Sequence, residues 1–424
     1  MNRGRGGRGR GRQYRSSYQG RNAPQGESET FEANWNERID DFDQMELKPL
    51  LLRGIYNYGF RGPSDIQSLS IKPILMNRCV IAQAQSGTGK TGAFAIGILN
   101  RIDTTQPTTQ ALVLAPTREL ATQIYYFFVE IGSKMADLKV ELFKGGNSVA
   151  DDQAKAQECP HIAVSTPGRA LDLISKGYLR CENIQIACID EADEMLGEGF
   201  ISQIKEIFEY LNKDIQFLLF SATFPKEILS IIDQFMNDPV KILVKAEMLT
   251  LEGIKQFYVN VETSVNKFPT LLDIYGSLSI QKAVIFANSK ETVEYLQKSF
   301  EANEFNISAI HGGMEQAERD RIMHQFRTGN TRALVSTDLL ARGIDVQQIT
   351  LVINFELPNT AENYLHRIGR SGRYGRKGIA INICDASDMI RIKEIEKIYQ
   401  TQIAELPADI ADLVKDANSQ FDKK

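Results

Sequence analysis

A chain of 424 residues, 42% hydrophobic and 24% charged, is long enough for two or three separately cored domains and ordinary in composition for a globular protein. No apolar run approaches the ~18 residues of a membrane-spanning helix, and the Arg/Gly-rich start has no apolar segment to serve as a secretory signal, so a soluble, intracellular protein without a membrane role is expected. Five scattered cysteines with no C-x-x-C pair and four separated histidines argue against a disulfide framework or a structural zinc site.

The net charge of −5 hides an asymmetry, because residues 1–26 carry seven arginines and no acid. A segment dominated by Gly, Arg, Ser, Gln and Tyr cannot bury enough apolar surface to offset its ordering entropy, so residues 1–30 read as a disordered tail. Arginines interspersed with Tyr14 and Tyr18 suit sequence-tolerant nucleic-acid contact through phosphates and stacking. The other reading is a solubilising tail with no partner.

From Phe31 the pattern turns globular. Residues 50–56 read as an amphipathic helix, and a turn at residues 59–63 feeds a second helix capped by Ser64 or Asp65. The apolar run 79–82 reads as a buried strand and residues 92–99 as a helix. Between them stands Ala84-Gln85-Ser86-Gly87-Thr88-Gly89-Lys90-Thr91. Small residues there let backbone N–H groups converge on a phosphate chain while the helix start adds partial positive charge. Lys90 can reach the β/γ-phosphates and Thr91 can place its hydroxyl on Mg2+, although Ala84 stands where the G-x-x-x-x-G-K-[ST] pattern has glycine.

Apolar runs then recur between helical stretches at 111–115, 162–165, 186–189 and 217–221, which predicts a parallel α/β sheet. Asn237-Asp238-Pro239 closes this series, and residues 245–253 read as a linker. A second series follows at 257–259, 283–286, 307–310, 333–336, 351–354 and 379–382. After its 284–286 run, Ala287-Asn288-Ser289-Lys290 lacks the glycines and the Gly-Lys step of a phosphate loop. The expected organisation is two similar α/β domains, 31–244 and 254–424, sharing one phosphate loop.

The strand at 186–189 ends in Asp190-Glu191-Ala192-Asp193, where ligand groups of an open α/β sheet belong. Asp190 can hold Mg2+ through its water shell, and Glu191 can orient or deprotonate an attacking water. In the second series lies His366-Arg367-Ile368-Gly369-Arg370-Ser371-Gly372-Arg373. These arginines could form a solvated basic turn, or could supply transition-state charge to a phosphate held by the other domain.

At this point the residues resemble the DEAD-box RNA helicases. Phe42, Gly59-Phe60 with Gln67, the loop 84–91, Pro116-Thr117-Arg118-Glu119-Leu120, Gly145-Gly146, Thr166-Pro167-Gly168-Arg169, Asp190-Glu191-Ala192-Asp193 and Ser221-Ala222-Thr223 follow the order of that family's first-domain motifs. Val284-Ile285-Phe286, Gln316 with Arg319, Ser336-Thr337-Asp338, Arg342-Gly343-Ile344-Asp345 and residues 366–373 are similar to the remaining ones. The resemblance spans about residues 31–414. Within the family, residues 249–257 and the ending through Glu405-Leu406-Pro407 resemble the initiation factor 4A subfamily.

The resemblance implies two tandem RecA-like domains with an ATP and RNA cleft between them, and an RNA-stimulated ATPase that unwinds short duplexes. Ser86, Gly87, Thr88, Gly89, Lys90 and Thr91 would hold ATP, and Thr91 and Asp190 would hold Mg2+. Gln67 would read adenine, Phe42 would stack on it and Asp345 would contact the ribose. Lys90, Asp190 and Glu191 would be catalytic, with Arg370 and Arg373 as arginine fingers. Ser221 and Thr223 would link Asp193 to domain closure.

Arg118, Gly145, Gly146, Thr166, Gly168 and Arg169, with Gln316, Arg319 and Thr337 across the cleft, would contact single-stranded RNA or mRNA through its backbone, which carries no sequence code. Taken singly, Gly145 and Gly146 could be only a turn, Thr166 a helix cap, and Gln316 and Arg319 an exposed helical face.

The subfamily implies translation initiation in the cytoplasm. The protein would be a monomer within a complex, with a scaffold of the initiation factor 4G type and other initiation factors as partners. The alternative is a nuclear role, either as an ATP-gated RNA clamp of the exon-junction type or as a ribosome-biogenesis helicase. Two departures from the subfamily stand out. Gly313 replaces an Asp, which would remove a helix cap, and residues 262–267 lack the usual Glu-Glu-Trp-type sequence.

Overall fold

The computed structural model describes residues 32–197, 199–244, 254–277, 282–340, 349–371 and 378–407. The tail, the linker 245–253, Asp345 and Arg373 lie outside the described residues. Fourteen strands are described: β1 Val80–Gln83, β2 Ala111–Leu114, β3 Val140–Phe143, β4 Ile162–Ser165, β5 Ile186–Asp190, β6 Gln216–Ser221, β7 Val240–Leu243, β8 Ile254–Asn260, β9 Ala283–Phe286, β10 Ser308–Ile310, β11 Ala333–Ser336, β12 Leu351–Asn354, β13 Gly378–Cys384 and β14 Ala404–Glu405. They form two seven-stranded sheets, β3-β4-β2-β5-β6-β1-β7 and β10-β11-β9-β12-β13-β8-β14, parallel throughout. Helices follow most strands, as parallel pairing requires. The central strands are buried along their whole length, which is why they read as unbroken apolar runs.

Counted from its own first strand, each sheet has the same order: third, fourth, second, fifth, sixth, first, seventh. The counterpart of β1, the strand that feeds the phosphate loop, is β8 and not β9, so the segment to compare is residues 261–266 rather than 287–290. That segment has no glycine and leads into the helix Lys267–Ser277. Lys267 thus opens its helix as Lys90 opens Lys90–Arg101, but its ammonium is held by Asp388 at 2.6 Å and Asp385 at 4.0 Å. The duplicated fold therefore has one phosphate loop among the described residues, and the second copy spends its lysine on an internal ion pair.

β3 and β7, the two edges of the first sheet, go beyond the runs expected from sequence. In β7 only Val240 and Ile242 are fully covered, and Lys241 interrupts the apolar run. Its outer edge is occupied by Asn34, which donates its backbone N–H to the Lys241 carbonyl at 3.0 Å, accepts from Lys241 N at 2.6 Å and donates to the Pro239 carbonyl at 3.1 Å. The segment around Asn34 thereby covers an edge that would otherwise expose unpaired backbone groups.

Gly313 is not at a helix cap. The helix Gln316–Thr328 has Glu315 at its N-cap, without a side-chain bond, and Gly313 instead donates its N–H to His311 Nδ1 at 3.2 Å. The helix that follows thus begins without help from position 313.

Candidate functional site

The phosphate loop is shaped by what each short residue permits. Gly87 and Gly89 adopt φ of +83° and +99°, conformations open to glycine at little cost. A Cβ on Gly89 would also lie 2.7 Å from Gln67 Nε2. Ala84, in the position usually held by glycine, is buried; its N–H donates to the Ser221 carbonyl at 3.0 Å and its carbonyl accepts from Lys90 Nζ at 2.9 Å. Thr88 Oγ1 closes the loop on the Gln85 carbonyl at 2.7 Å. The loop ends at the N-terminus of Lys90–Arg101, whose first N–H groups and dipole favour an anion.

A cavity of about 1060 Å³ opens over this loop. Its walls include Gln67, Ser86, Gly87, Gly89, Lys90, Thr91, Asp190, Glu191, Phe60 and, from the second sheet's side, Arg370 and Arg327. Gln67 is buried, and its amide is already partly used. The oxygen accepts from Ser64 N at 2.9 Å, completing a capping box, and the nitrogen donates to the Gly89 carbonyl at 3.1 Å. One lone pair and one N–H remain, the pair an adenine edge would need. Phe42 is placed differently from expectation. It is fully buried, edge-on to Tyr56 and Phe60 at 6.5 and 5.9 Å, and does not line the cavity. Phe60 is one of the aromatic residues in the wall, with Tyr58, Tyr126 and Phe127, and Phe42 packs edge-on behind it.

Replacing Gln67 with alanine is expected to erode discrimination between ATP and GTP by ~1–3 kcal/mol, through loss of a paired contact, and to lower the melting temperature through loss of the cap and the Gly89 anchor. Nucleotide titrations with ATP and GTP check the first part. Equal discrimination in the variant and the parent would remove Gln67 from base reading and leave it as a loop anchor.

At the end of β5, Asp190 and Glu191 are both buried. Burial, and then the adjacent Glu191 carboxylate, push Asp190 well above the ordinary carboxylate range, with the Lys90 ammonium acting in the opposite direction. A carboxylate so placed favours a neighbouring cation. Glu191 adopts φ +52°, ψ +55°, a left-handed conformation uncommon for a residue with a Cβ, and its carboxylate stands 3.9 Å from Lys90 Nζ. Asp193 is tied to the end of β6: Thr223 Oγ1 donates to its carboxylate at 2.6 Å and its N–H donates to Ser221 Oγ at 3.4 Å. The expected grouping of Asp193, Ser221 and Thr223 is present.

The two sheets meet across this site. Arg370 donates from Nη2 to Ser86 Oγ of the phosphate loop, and its Nε donates to the His366 carbonyl at 3.1 Å. His366, fully buried, lies 3.3 Å from the Asp193 carboxylate. His366 lies in the last turn of the helix Ala361–Ile368 and Arg370 in the turn that follows, and both side chains reach the first sheet's side. Among the described residues Arg370 is the arginine of its motif that reaches the loop.

A second junction lies at the other end of the cleft. Arg319 pairs with Glu119 at 2.6 Å with both side chains buried, Gln316 Nε2 donates to Glu119 at 3.3 Å, and Arg118 donates to Gln316 Oε1 at 3.0 Å. Gly146, at φ +94°, lets Gln316 approach; a Cβ there would sit 2.8 Å from Gln316 Cβ. Gln316 and Arg319 are therefore not an exposed helical face. They, with Arg118, bridge the two halves in this arrangement.

Of the other residues expected to meet RNA, Arg169 bonds Asp152 and the Asn147 carbonyl, Thr166 is the N-cap of Pro167–Ser175, Gly168 is exposed and Thr337 is half-buried. Glu119, His366 and Arg367 stood within motifs quoted from sequence but were given no role of their own. The i, i+4 spacing of His366 and Arg370 was the available signal; Glu119 had none, because its partner lies 200 residues away.

Comparison with known proteins follows from this geometry. The chain matches the DEAD/DEAH box helicase family over residues 64–231 and the helicase conserved C-terminal domain over residues 266–375. The ATP-dependent RNA helicase eIF4A of Neurospora crassa is 51% identical over 384 residues, 91% of this chain and 96% of that protein. Among solved structures, S. cerevisiae Dbp5 bound to RNA and ADP BeF3 superposes with a TM-score of 0.83 at 33% identity, over 90% of this chain and 99% of that one. A Dbp5 variant bound to Nup159, a Gle1 variant, IP6 and ADP superposes with a TM-score of 0.60 at 31% identity, over 89% and 99%.

Proposed function

Because this chain belongs to the DEAD-box family of ATP-dependent RNA helicases, and is of the eIF4A type within it, we propose that it closes two RecA-like domains on one ATP and one RNA strand and so separates short duplexes during translation initiation. The family makes it an RNA-stimulated ATPase. The observation that carries the finer reading is the Arg370 guanidinium of the second half on Ser86 of the phosphate loop of the first. The better superposition on Dbp5 with RNA and ADP BeF3 than on Dbp5 with Nup159, Gle1, IP6 and ADP supports reading this arrangement as the closed state. We keep the domain limits at 31–244 and 254–424, with residues 245–253 between.

In this reading residues 86–91 cradle the phosphates, Gln67 reads the base and Glu191 takes a proton from the attacking water as oxygen bonds to the γ-phosphorus and the bond to the β,γ-bridging oxygen breaks. Lys90 and Arg370, with Arg373 beyond the described residues, offset the charge that develops. Asp345 would reach the ribose. The buried carboxylate of Asp190 with the Thr91 hydroxyl is a hard-oxygen donor set suited to Mg2+, which when bound would neutralise phosphate charge. Thr166, Gly168, Arg169 and Thr337 would contact the backbone of single-stranded RNA, with Arg118, Gly145, Gly146, Gln316 and Arg319 beside them at the junction. The name of the eIF4A relatives supports a cytoplasmic role beside a 4G-type scaffold and other initiation factors.

Strand separation with a short RNA duplex tests the reading: ATP should release the strands catalytically, and omission of ATP should not. Absence of ATP-dependent release would reduce the protein to an ATP-gated clamp. Deleting residues 1–26 is expected to weaken RNA binding more at low salt than at high salt, flattening the log–log salt slope by at most about 5 at ~0.7 counterion per neutralised phosphate. The RNA-saturated ATPase rate should stay near that of the full chain. An identical slope would leave the tail as a solubilising segment.

A further inference from the structure

Arg367 sits between His366 and the turn to Arg370 but points the other way, into its own sheet, and is fully buried. Its guanidinium is satisfied on several sides. Nε donates to Asp338 Oδ1, Nη1 to the Glu356 carbonyl at 2.7 Å and more weakly to Asn354 Oδ1 at 3.4 Å, and Nη2 to Asn288 Oδ1 at 2.7 Å, while the plane lies 5.2 Å from the Phe286 ring. One side chain thus ties the helix Ala361–Ile368 to the ends of β9, β11 and β12. Asp338, alone among these partners, directly follows Thr337, the residue read as an RNA contact. On its other side the same helix carries His366 to Asp193, and the turn just after it carries Arg370 to Ser86.

We propose that the Arg367–Asp338 pair is a positioning link that transmits RNA contact at Thr337 to the placement of Arg370 against the nucleotide; this rests on the closure mechanism above. Neither residue touches substrate. A displacement of the Thr337–Asp338 segment by an RNA phosphate moves the carboxylate that Arg367 follows, and a buried charge cannot part from its partner without being left uncompensated. The helix therefore turns with it, and Arg370, whose N–H donates to the Arg367 carbonyl at 3.1 Å in the turn that closes the helix, moves with the helix end.

The test is Asp338→Asn, which keeps the shape and an acceptor but removes the charge, beside Asn288→Ala, which removes a different partner of the same guanidinium away from Thr337. For each, RNA-free ATP affinity, RNA affinity without nucleotide, the kcat and KM for RNA of the ATPase, and the melting temperature are measured. Asp338→Asn should lose RNA stimulation of kcat by at least about tenfold, with RNA affinity in the absence of nucleotide within about twofold of the parent. Asn288→Ala should keep its stimulation within about threefold, even with a lower melting temperature.

Retained stimulation in Asp338→Asn overturns the proposal. So does equal loss in both variants, which would make Arg367 a structural anchor only. Should Asp338→Asn fail to fold, Asp338→Glu, which keeps the charge and shifts it by one methylene, carries the same expectation and the same refutation. A parent protein without RNA-stimulated ATPase would instead refute the closure mechanism.

Discussion

Arg370→Lys is expected to cut the RNA-stimulated ATPase rate by on the order of 10³-fold or more while leaving ATP affinity of the open enzyme close to that of the parent. The physical reason lies in the shape of the group. The Arg370 guanidinium presents Nη2 to the phosphate loop while Nε is fixed on the His366 carbonyl, so its direction is set by the end of the helix that precedes it. A lysine keeps the charge but has neither the planar fork nor the second anchor. Single-turnover hydrolysis at saturating ATP and RNA checks it, and a rate within tenfold of the parent would mean that Arg370 only seals the cleft.

Glu191→Gln is expected to bind ATP and RNA but to lower kcat by about 10²–10⁴-fold, because the amide preserves volume and hydrogen bonding while losing the basic lone pair. The left-handed backbone at Glu191 fits this assignment, since strain at a buried residue with a Cβ persists where the surroundings hold it. Binding and turnover separate the cases. Full activity would place water activation elsewhere, and loss of ATP binding would show that the carboxylate mainly balances Lys90, 3.9 Å away.

The parallel sheets and the phosphate loop were readable because both rest on local signals: unbroken apolar runs for buried parallel strands, and small residues followed by Lys90 and Thr91 between strand and helix. β3 and β7 escaped because edge strands are covered on fewer sides and tolerate Glu141 and Lys241 within them. Phe42 shows a different limit. The family resemblance implied a base-stacking ring, but whether an aromatic faces a cavity or supports the ring that does is decided by tertiary packing.

The junction of Glu119 with Arg319 was beyond sequence reasoning for the same reason. Each residue alone is an ordinary charged position on a helix, and the pair becomes visible only when the two halves meet. Sequence showed that residues 287–290 are no phosphate loop, but topology was needed to identify β8 as the counterpart of β1 and Lys267 as internally paired.

The central claim is that one nucleotide is read from both halves and that this reading tightens the grip on RNA. It is tested most directly by RNA affinity with and without a non-hydrolysable ATP analogue, in the parent and in Arg370→Lys. ATP can favour the closed form only through contacts that the open form lacks. The parent should gain affinity by roughly 5–150-fold on adding the analogue, and the variant should gain about twofold or less. An equal gain in both proteins would contradict the shared-cleft account, because the nucleotide would then be closing the enzyme without the arginine that reaches it from the second half.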